Sequence, residues 1–531
     1  MEVFIFLIVT YILLSVSLYF LFPKAGEEGW RGLVPFLNFI VWCRLVGRPT
    51  WHVVWLVVPI VNIFVFVAMC VEMARSFGKY KLSHSALAVI YAPAIFFSIA
   101  FDKEAKYLGP SRTMEKEYHQ KMEEAKTNKE DRKLQKLERQ NPYKKSVGRE
   151  WIEAIVFAVF AAAFIRMFLI EAYTIPTSSM EGSLLVGDFL FVSKAHYGIR
   201  TPKTIAMVPL LHNRVPFLNR ESYFENPDIP FTRLPALENI DRYEPVVFNY
   251  PEGDSVYVTP SRTYSVYDLR RNPILQSQRI DKRYPLVTRP LDKRDHYIKR
   301  CIGIPGDSVQ IINRDVYING EKMTPPEMVQ FSYKVTFPSG SINTSKFEDW
   351  GISKEDQFDI KPNYMVLVLN QEQIGKLKAM DPAIEVTPFD LPANTRSPHN
   401  LFPYDPVHYP DWTIDNFGPI YVPKKGATVK LDERSIAFYD RIIRVYEGNT
   451  LERRGNQFIL NGEPADTYTF KMNYYWMMGD NRHNSEDSRF WGYVPEDHVV
   501  GKPLFIWFST KEGRLANGVN WNRIFTSASK R

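Results

Sequence analysis

The sequence predicts a mainly β protein: N-terminal transmembrane α-helices followed by an all-β domain that carries a large insertion. Three observations carry that expectation. Uncharged stretches long enough to cross a bilayer crowd the first hundred residues and recur near residue 160. A charged, helix-forming segment separates the two groups. From Tyr173 onward, short runs rich in Val, Ile, Phe and Tyr alternate with Gly, Asn, Asp and Pro.

Val3 to Phe22 has no charge and as a helix spans about 30 Å of hydrocarbon. A cleaved leader wants a basic start and a small-residue cleavage site. The chain instead begins Met1-Glu2, and the run ends in FLFPKAGEE, which points to a true span. Trp51 to Val71 is a second uncharged run, interrupted by Pro59 and Asn62. Ser85 to Phe101 is a shorter third candidate, and the broken apolar stretch Trp30 to Gly47 reads as interfacial. Residues 1–101 are therefore expected to form a multi-span membrane region. Residues 102–150 are dense in Lys, Arg and Glu and read as a charged linker, helical or flexible. The basic excess of the linker precedes the apolar run Trp151 to Ile170. The positive-inside rule then puts the linker in the cytoplasm, a membrane helix at 151–171, and everything later on the outer side.

Residues 172–531 form the expected β-rich domain. YINGE (Tyr317 to Glu321) and ILNGE (Ile459 to Glu463) each place Asn-Gly after a strand-like run, the signal of a tight hairpin. Residues from about 327 to 431 are richer in Pro and aromatics and less regular, which suggests an insertion. The net charge of +7 comes from clustered positives and reads as a topology signal, so no nucleic-acid partner is expected. Three cysteines, Cys43, Cys70 and Cys301, exclude a disulfide framework, and no Cys/His spacing suggests zinc.

Three stretches hold chemistry. AYTIPTSSMEGSLLVGDFLFV, Ala172 to Val192, presents Thr177, Ser178 and Ser179 just past the membrane run. Such hydroxyls are common in turns, and a serine becomes a nucleophile only when a base takes its proton. DHYIKRCIGIPGDSVQI, Asp295 to Ile311, places Lys299 on one strand face with Tyr297 and Cys301. Burial there would lower the lysine pKa and leave the amine able to accept a proton. WMMGDNRHNSEDSRFWG, Trp476 to Gly492, offers a turn at Gly479-Asp480-Asn481, a hydroxyl at Ser485 and an Asp487/Arg489 pair suited to shaping a loop.

Together these stretches resemble bacterial type I signal peptidases, membrane-bound serine proteases that remove signal peptides from exported proteins. The family motif like I-P-S-x-S-M-x-P-T-L-x-x-G-D is met by IPTSSMEGSLLVGD, Ile175 to Asp188. A strand like G-D-x-V-V-F-x-Y-P is met by YEPVVFNYP, Tyr243 to Pro251. The lysine motif like Y-I-K-R-x-x-G-x-P-G-D matches Tyr297 to Asp307, and a motif like G-D-N-x-x-x-S-x-D-S-R-x-W-G matches Gly479 to Gly492. The resemblance implies Ser179 as nucleophile and Lys299 as general base. It implies that the Thr177 hydroxyl and the Ser179 N–H form an oxyanion hole. It also implies Ser485 as hydrogen-bond partner of the lysine, and Asp487 and Arg489 as supports. Ser178 has no role. The implied activity is signal peptidase I, a serine endopeptidase of the bacterial inner membrane, multi-pass, with its catalytic domain on the periplasmic side. The implied partners are exported preproteins and the lipid bilayer; no metal or cofactor is expected. The sequence departs from the motifs at Gly182-Ser183, where the family has Pro-Thr, and at Tyr243-Glu244, where it has Gly-Asp. Two alternatives stand beside this reading. One is a His base, with His483 preferred over His296; the other is a membrane-anchored binding domain with a degenerate site.

Overall fold

The computed structural model describes the chain except residues 1, 59–60, 205–206, 209–210, 212, 216–219, 225, 227–229, 261, 339–343, 345, 348, 390–399, 456 and 530–531. It divides into two compact units, Met1–Val159 and Phe160–Arg531.

The first unit is helical. α1 (Glu2–Leu21) covers most of the first apolar run, and α2 (Leu37–Val46) and α3 (Val61–Ser76) pack beside it. The second apolar run is not one helix: a 3-10 segment occupies Thr50–Leu56 before α3, and Pro59 lies outside the described residues. The third divides into α4 (Leu82–Ile90) and α5 (Ala92–Phe101). Pro93 supplies no N–H for the preceding turn, and Tyr91 leaves the helical region at φ −154°, ψ 84°. Leu18, Trp42, Met69, Cys70, Phe96 and Ile99 form the core of this unit. The charged segment forms α6 (Ser111–Thr127) and α7 (Asp131–Gln140), which bury only Ser111 and Ala125, as a solvated helix pair should. α8 (Val147–Phe168) follows and buries none of its residues. Among the described residues, two helical stretches, Ile5–Ala25 and Val147–Phe168, have the length and composition to cross a bilayer.

The second unit is built on a seven-stranded sheet. Its strands are β1 (Ile170–Thr174), β2 (Asp188–Ser193), β3 (Pro245–Asn249), β4 (His296–Gly303), β5 (Tyr474–Met478), β6 (Val494–Pro495) and β7 (Val499–Ser509). They lie in the order β1-β2-β7-β3-β4-β5-β6. Central β3 is buried at every position, as its unbroken apolar run demands. β2 alternates instead. Leu190 and Val192 enter the core, while Phe189 and Phe191 turn outward and meet Phe505, Trp507 and Phe508 of β7. A second sheet joins Glu321–Lys322, Asp315–Ile318, Ser308–Ile312 and Phe417–Tyr421. Both Asn-Gly pairs make the expected hairpins, with Asn319 and Gly320, and Asn461 and Gly462, at positive φ.

The stretch expected to be inserted contributes in two ways. Gln357–Phe358, Tyr364–Leu369, Phe331–Thr336 and Glu385–Pro388 form a separate sheet over a core that includes Val335, Phe347, Leu367 and Leu377. Phe417–Tyr421, by contrast, pairs with Ser308–Ile312 in the second sheet.

Candidate active site

Packing on either side of Ser179 decides where its side chain goes. The loop from Ile175 to Gly187 is closed at its base by backbone bonds, Ile175 N to Asp188 O and Gly187 N to Ile175 O, both 2.9 Å. Within it Met180 and Leu184 sink into a core with Leu190, Val247 and Ile506. A short 3-10 turn over Ser178–Met180 therefore leaves Ser179 facing a cleft of about 680 Å³, lined also by Tyr173, Thr177, Lys299 and Ser485.

Register brings the lysine to the same place. On β4, Lys299 lies opposite Val246 of β3 and its side chain points into the cleft. Its Nζ donates to Ser179 Oγ at 2.7 Å and to Ile298 O at 3.0 Å. Lys299 is 5% exposed, and among the described residues it makes no ion pair. Burial pulls its pKa down to about 8, with Asp487, Glu486 and Asp480 offsetting part of that effect. An amine in this state takes up a proton from an adjacent hydroxyl near neutral pH. Thr177 Oγ1 lies 3.5 Å from Ser179 Oγ on the open side.

Ser178, adjacent to the nucleophile candidate, is engaged elsewhere. It is buried, its hydroxyl donates to Glu355 at 3.0 Å, and it accepts from Asn484 Nδ2 at 2.9 Å. Ser485 lines the cleft, and its buried hydroxyl makes no hydrogen bond to Lys299 among the described residues. Asp487 and Arg489 form a buried bidentate pair at 2.8 and 2.7 Å. Burial opposes the charge of Asp487; Arg489 more than offsets this and holds the carboxyl below its usual range. Asp487 also accepts from Gly479 N at 3.1 Å and caps the turn Ser488–Trp491, so it shapes the loop under the cleft.

Several supports have contacts that the sequence does not reveal. Asp480 is fully buried and accepts two bonds from Arg300, at 2.6 and 2.7 Å, and one from Ser183 Oγ at 2.6 Å. Asn481 N donates to Ser179 O at 3.2 Å. Asn481 Nδ2 donates to Asp356 at 2.7 Å, which links the Ser178–Met180 turn to the stretch around residue 356. Glu181 is buried against the same Asp356; burial and that neighbouring carboxylate push its carboxyl well up. A side chain on Gly479 would lie 2.3 Å from Ser485 Oγ and 2.5 Å from Ser179 O, so only glycine fits there.

Both motif departures have a structural account. Gly182 takes φ +95°, which proline cannot adopt, and Met328 O occupies the space a Cβ would fill, at 2.1 Å. Ser183 keeps a hydroxyl for Asp480. Tyr243 takes φ +67°, a region glycine enters without strain, while Glu244 is buried and accepts from Tyr197 Oη and Lys502 Nζ.

Neither histidine stands in for the lysine. His483 has both ring nitrogens occupied: Nδ1 accepts from Ser332 N at 3.1 Å, and Nε2 lies 2.9 Å from Asp415. His296 packs its ring on Tyr173, with centroids 4.9 Å apart. Among the described residues, no group of three or more His, Cys, Asp or Glu side chains is placed to hold a metal ion.

Known proteins resemble both parts of the chain. Residues 30–110 match a family of unknown function (DUF5684). "Signal peptidase I" of Buchnera aphidicola subsp. Baizongia pistaciae is 23% identical over 70% of this chain and 81% of its own length. That of Haemophilus influenzae is 24% identical over 72% and 76%, and that of Helicobacter pylori 25% over 71% and 90%. Residues 148–372 and 422–508 match the family described as signal peptidase, peptidase S26, which takes in the Ser179 turn, β4 and the Gly479 loop. By that match the chain belongs to the peptidase S26 family of signal peptidases.

Proposed function

We propose that the chain is a membrane-anchored signal peptidase I that cleaves signal peptides from exported preproteins with Ser179 as nucleophile and Lys299 as general base. The observation that carries this assignment is the 2.7 Å contact between Ser179 Oγ and the buried Nζ of Lys299, which makes no ion pair among the described residues. Neutral Lys299 takes the Ser179 proton as Oγ attacks the scissile carbonyl. The Ser179 N–H and Thr177 hydroxyl receive the developing oxyanion, and such donors are each worth about 3 kcal/mol. Lys299 returns its proton to the leaving amine and then draws one from the water that releases the acyl group. Asp487 and Arg489 hold the surrounding loop.

The membrane supplies the setting. In this reading residues 1–101 and α8 embed the protein in the bacterial inner membrane, residues 102–150 are cytoplasmic, and the β-rich unit works on the periplasmic side. The outward aromatic face of β2 and β7, with Phe189, Phe191, Phe505 and Trp507, meets the bilayer surface beside the cleft.

The test is cleavage of a preprotein by the full chain reconstituted in vesicles. Ser179→Ala and Lys299→Ala each lose at least about 1,000-fold in rate, while Ser178→Ala retains cleavage. Cleavage by Ser179→Ala at the wild-type rate would remove the assignment. The wild-type rate rises with pH and levels off above about 8, where Lys299 is neutral. A rate already level by pH 6 would exclude Lys299 as base.

A further inference from the structure

Within the helical unit, a cavity of about 720 Å³ lies between the end of α2, the 3-10 segment Thr50–Leu56, the last turns of α3 and the first turns of α6. Gly47, just past α2 at φ +83°, lets the start of α6 come close. A Cβ there would lie 2.8 Å from Thr113 Oγ1 and 3.1 Å from Pro110 Cβ. One wall is therefore the N-terminus of a 17-residue helix, the end at which backbone N–H groups and the helix dipole favour an anion.

Helices commonly meet that end with an acidic residue or a capping side chain. α6 has neither: its first turn reads Ser111-Arg112-Thr113-Met114, and no side chain caps it. The Ser111 N–H goes to Ser76 Oγ at 3.2 Å and the Met114 N–H to Pro110 O at 2.9 Å. Among the described residues, the N–H groups of Arg112 and Thr113 have no acceptor. Ser111 is 2% exposed and lines the cavity, and its Oγ has no hydrogen-bond partner among the described residues. His52 lines the same cavity, and its buried Nδ1 is likewise without a partner. A buried polar atom left unpaired is costly, so both point to a bound group.

The charges agree. Arg75, Arg112 and Lys116 line the cavity, with Glu72 and Glu115 as the lining carboxylates. Arg48 already takes both oxygens of Glu72, at 2.6 and 2.8 Å. Arg112 lies 3.7 Å from Glu72, and Arg75 lies 3.9 Å from Glu115, too far for hydrogen bonds. Among the described residues, four cations thus stand against two carboxylates, and two guanidinium groups at the cavity donate to nothing.

We infer that this cavity binds a phosphate group, held by the guanidinium groups of Arg75 and Arg112, the Ser111 hydroxyl and the N–H groups at the start of α6. Two guanidinium forks, a hydroxyl and two backbone N–H groups offer more donors than the two oxygens of a carboxylate can use. The twofold charge excess matches a phosphate dianion. With α6 on the cytoplasmic side, as in the proposed topology, the phosphate comes from a soluble phosphate compound or from a lipid headgroup of the cytoplasmic leaflet. No residue of this cavity takes part in the proposed peptide-bond chemistry, so this inference and the peptidase reading stand or fall separately.

The experiment uses the full-length chain in phosphatidylcholine nanodiscs with two probes. One arm adds inorganic phosphate and reads its dissociation constant from phosphorus NMR line broadening. The other dopes the discs with phosphatidic acid and counts retained lipid by native mass spectrometry. The expected result is saturable binding of one probe per chain. Arg75→Gln and Arg112→Gln each weaken it about tenfold, and Ser111→Ala about threefold. Glu115→Gln, which removes a repelling carboxylate, tightens it about threefold, a gain that misfolding cannot imitate. The exposed control Lys425→Gln leaves it unchanged. Melting temperatures of the variants report folding. Inorganic phosphate binding that follows this order supports the proposal with a soluble ligand. Retention of phosphatidic acid that follows it, undisturbed by inorganic phosphate, supports the proposal with a lipid. Binding of neither probe overturns it, and so does binding indifferent to Arg75→Gln, Arg112→Gln and Glu115→Gln.

Discussion

Strand β4 carries two adjacent cations on opposite faces, and they are treated in opposite ways. Arg300 points inward, is 1% exposed, and is matched by both oxygens of Asp480. Lys299 points into the cleft, is almost as buried, and has a serine hydroxyl instead of a carboxylate. Pairing holds the first in place; burial with no ion pair among the described residues makes the second ready to shed its proton. The same contrast recurs in the Ser178–Met180 turn, where the Ser178 hydroxyl is tied to Glu355 and Asn484 while the Ser179 hydroxyl, among the described residues, meets the lysine and a distant Thr177. In the proposed mechanism, reactivity comes from giving two positions fewer polar partners, among the described residues, than their neighbours have.

Breaking the paired face has the largest expected effect. Asp480→Asn leaves Arg300 buried without its counter-charge and costs about 3–5 kcal/mol of stability. Chemical denaturation in detergent measures it, and a loss below about 1 kcal/mol would mean that another group neutralises Arg300. Gly182→Ala comes next. It forces a Cβ against Met328 O at φ +95°, beside the Ser183 hydroxyl that ties the nucleophile turn to Asp480. The expected cost is about 2–3 kcal/mol, with a lower cleavage rate at unchanged pH dependence. A flat pH dependence would show that the strain had reached Lys299.

The smallest effect sharpens the unpaired face. Lys299 has a folded-state pKa of about 8 against 10.5 unfolded, so between those values the unfolded chain binds more protons. Stability from this group therefore rises with pH across that window, and the penalty is fully present below it. Lys299→Met abolishes cleavage yet stabilises the protein by about 1–2 kcal/mol at pH 7, a gain that shrinks as pH approaches 10.5. A gain that persists undiminished at pH 10.5 would refute the assignment of burial as its cause.

Much of this arrangement was legible in the sequence because its signals are local. The Asn-Gly hairpins, the strand alternation around Lys299 and the order of the motifs all lie within short windows. The Asp487–Arg489 pair was legible for the same reason, being two residues apart. What was not legible depends on long-range register. Asp480 meets Arg300 across the β4–β5 pairing, and within Gly479-Asp480-Asn481 only a turn could be read. Glu355 and Asp356 reach the nucleophile turn from nearly two hundred residues away, out of a stretch with no recognisable pattern. The early apolar runs were legible in composition but not in continuity, since Pro93 divides one of them and a 3-10 segment begins another.

One feature of the fold sets a length scale. β1 begins two residues after α8 ends, and Ser179 follows Phe168 by eleven positions, part of them folded back in the closed Ile175–Gly187 loop. Even fully extended, such a segment reaches no more than about 40 Å. With α8 in the bilayer, the proposed nucleophile is thus leashed within a fixed height of the membrane surface, and a peptide bond held farther out is beyond its range whatever its sequence. Selection by altitude then precedes selection by side chain: a scissile bond must first be delivered at the right height by its own anchored segment.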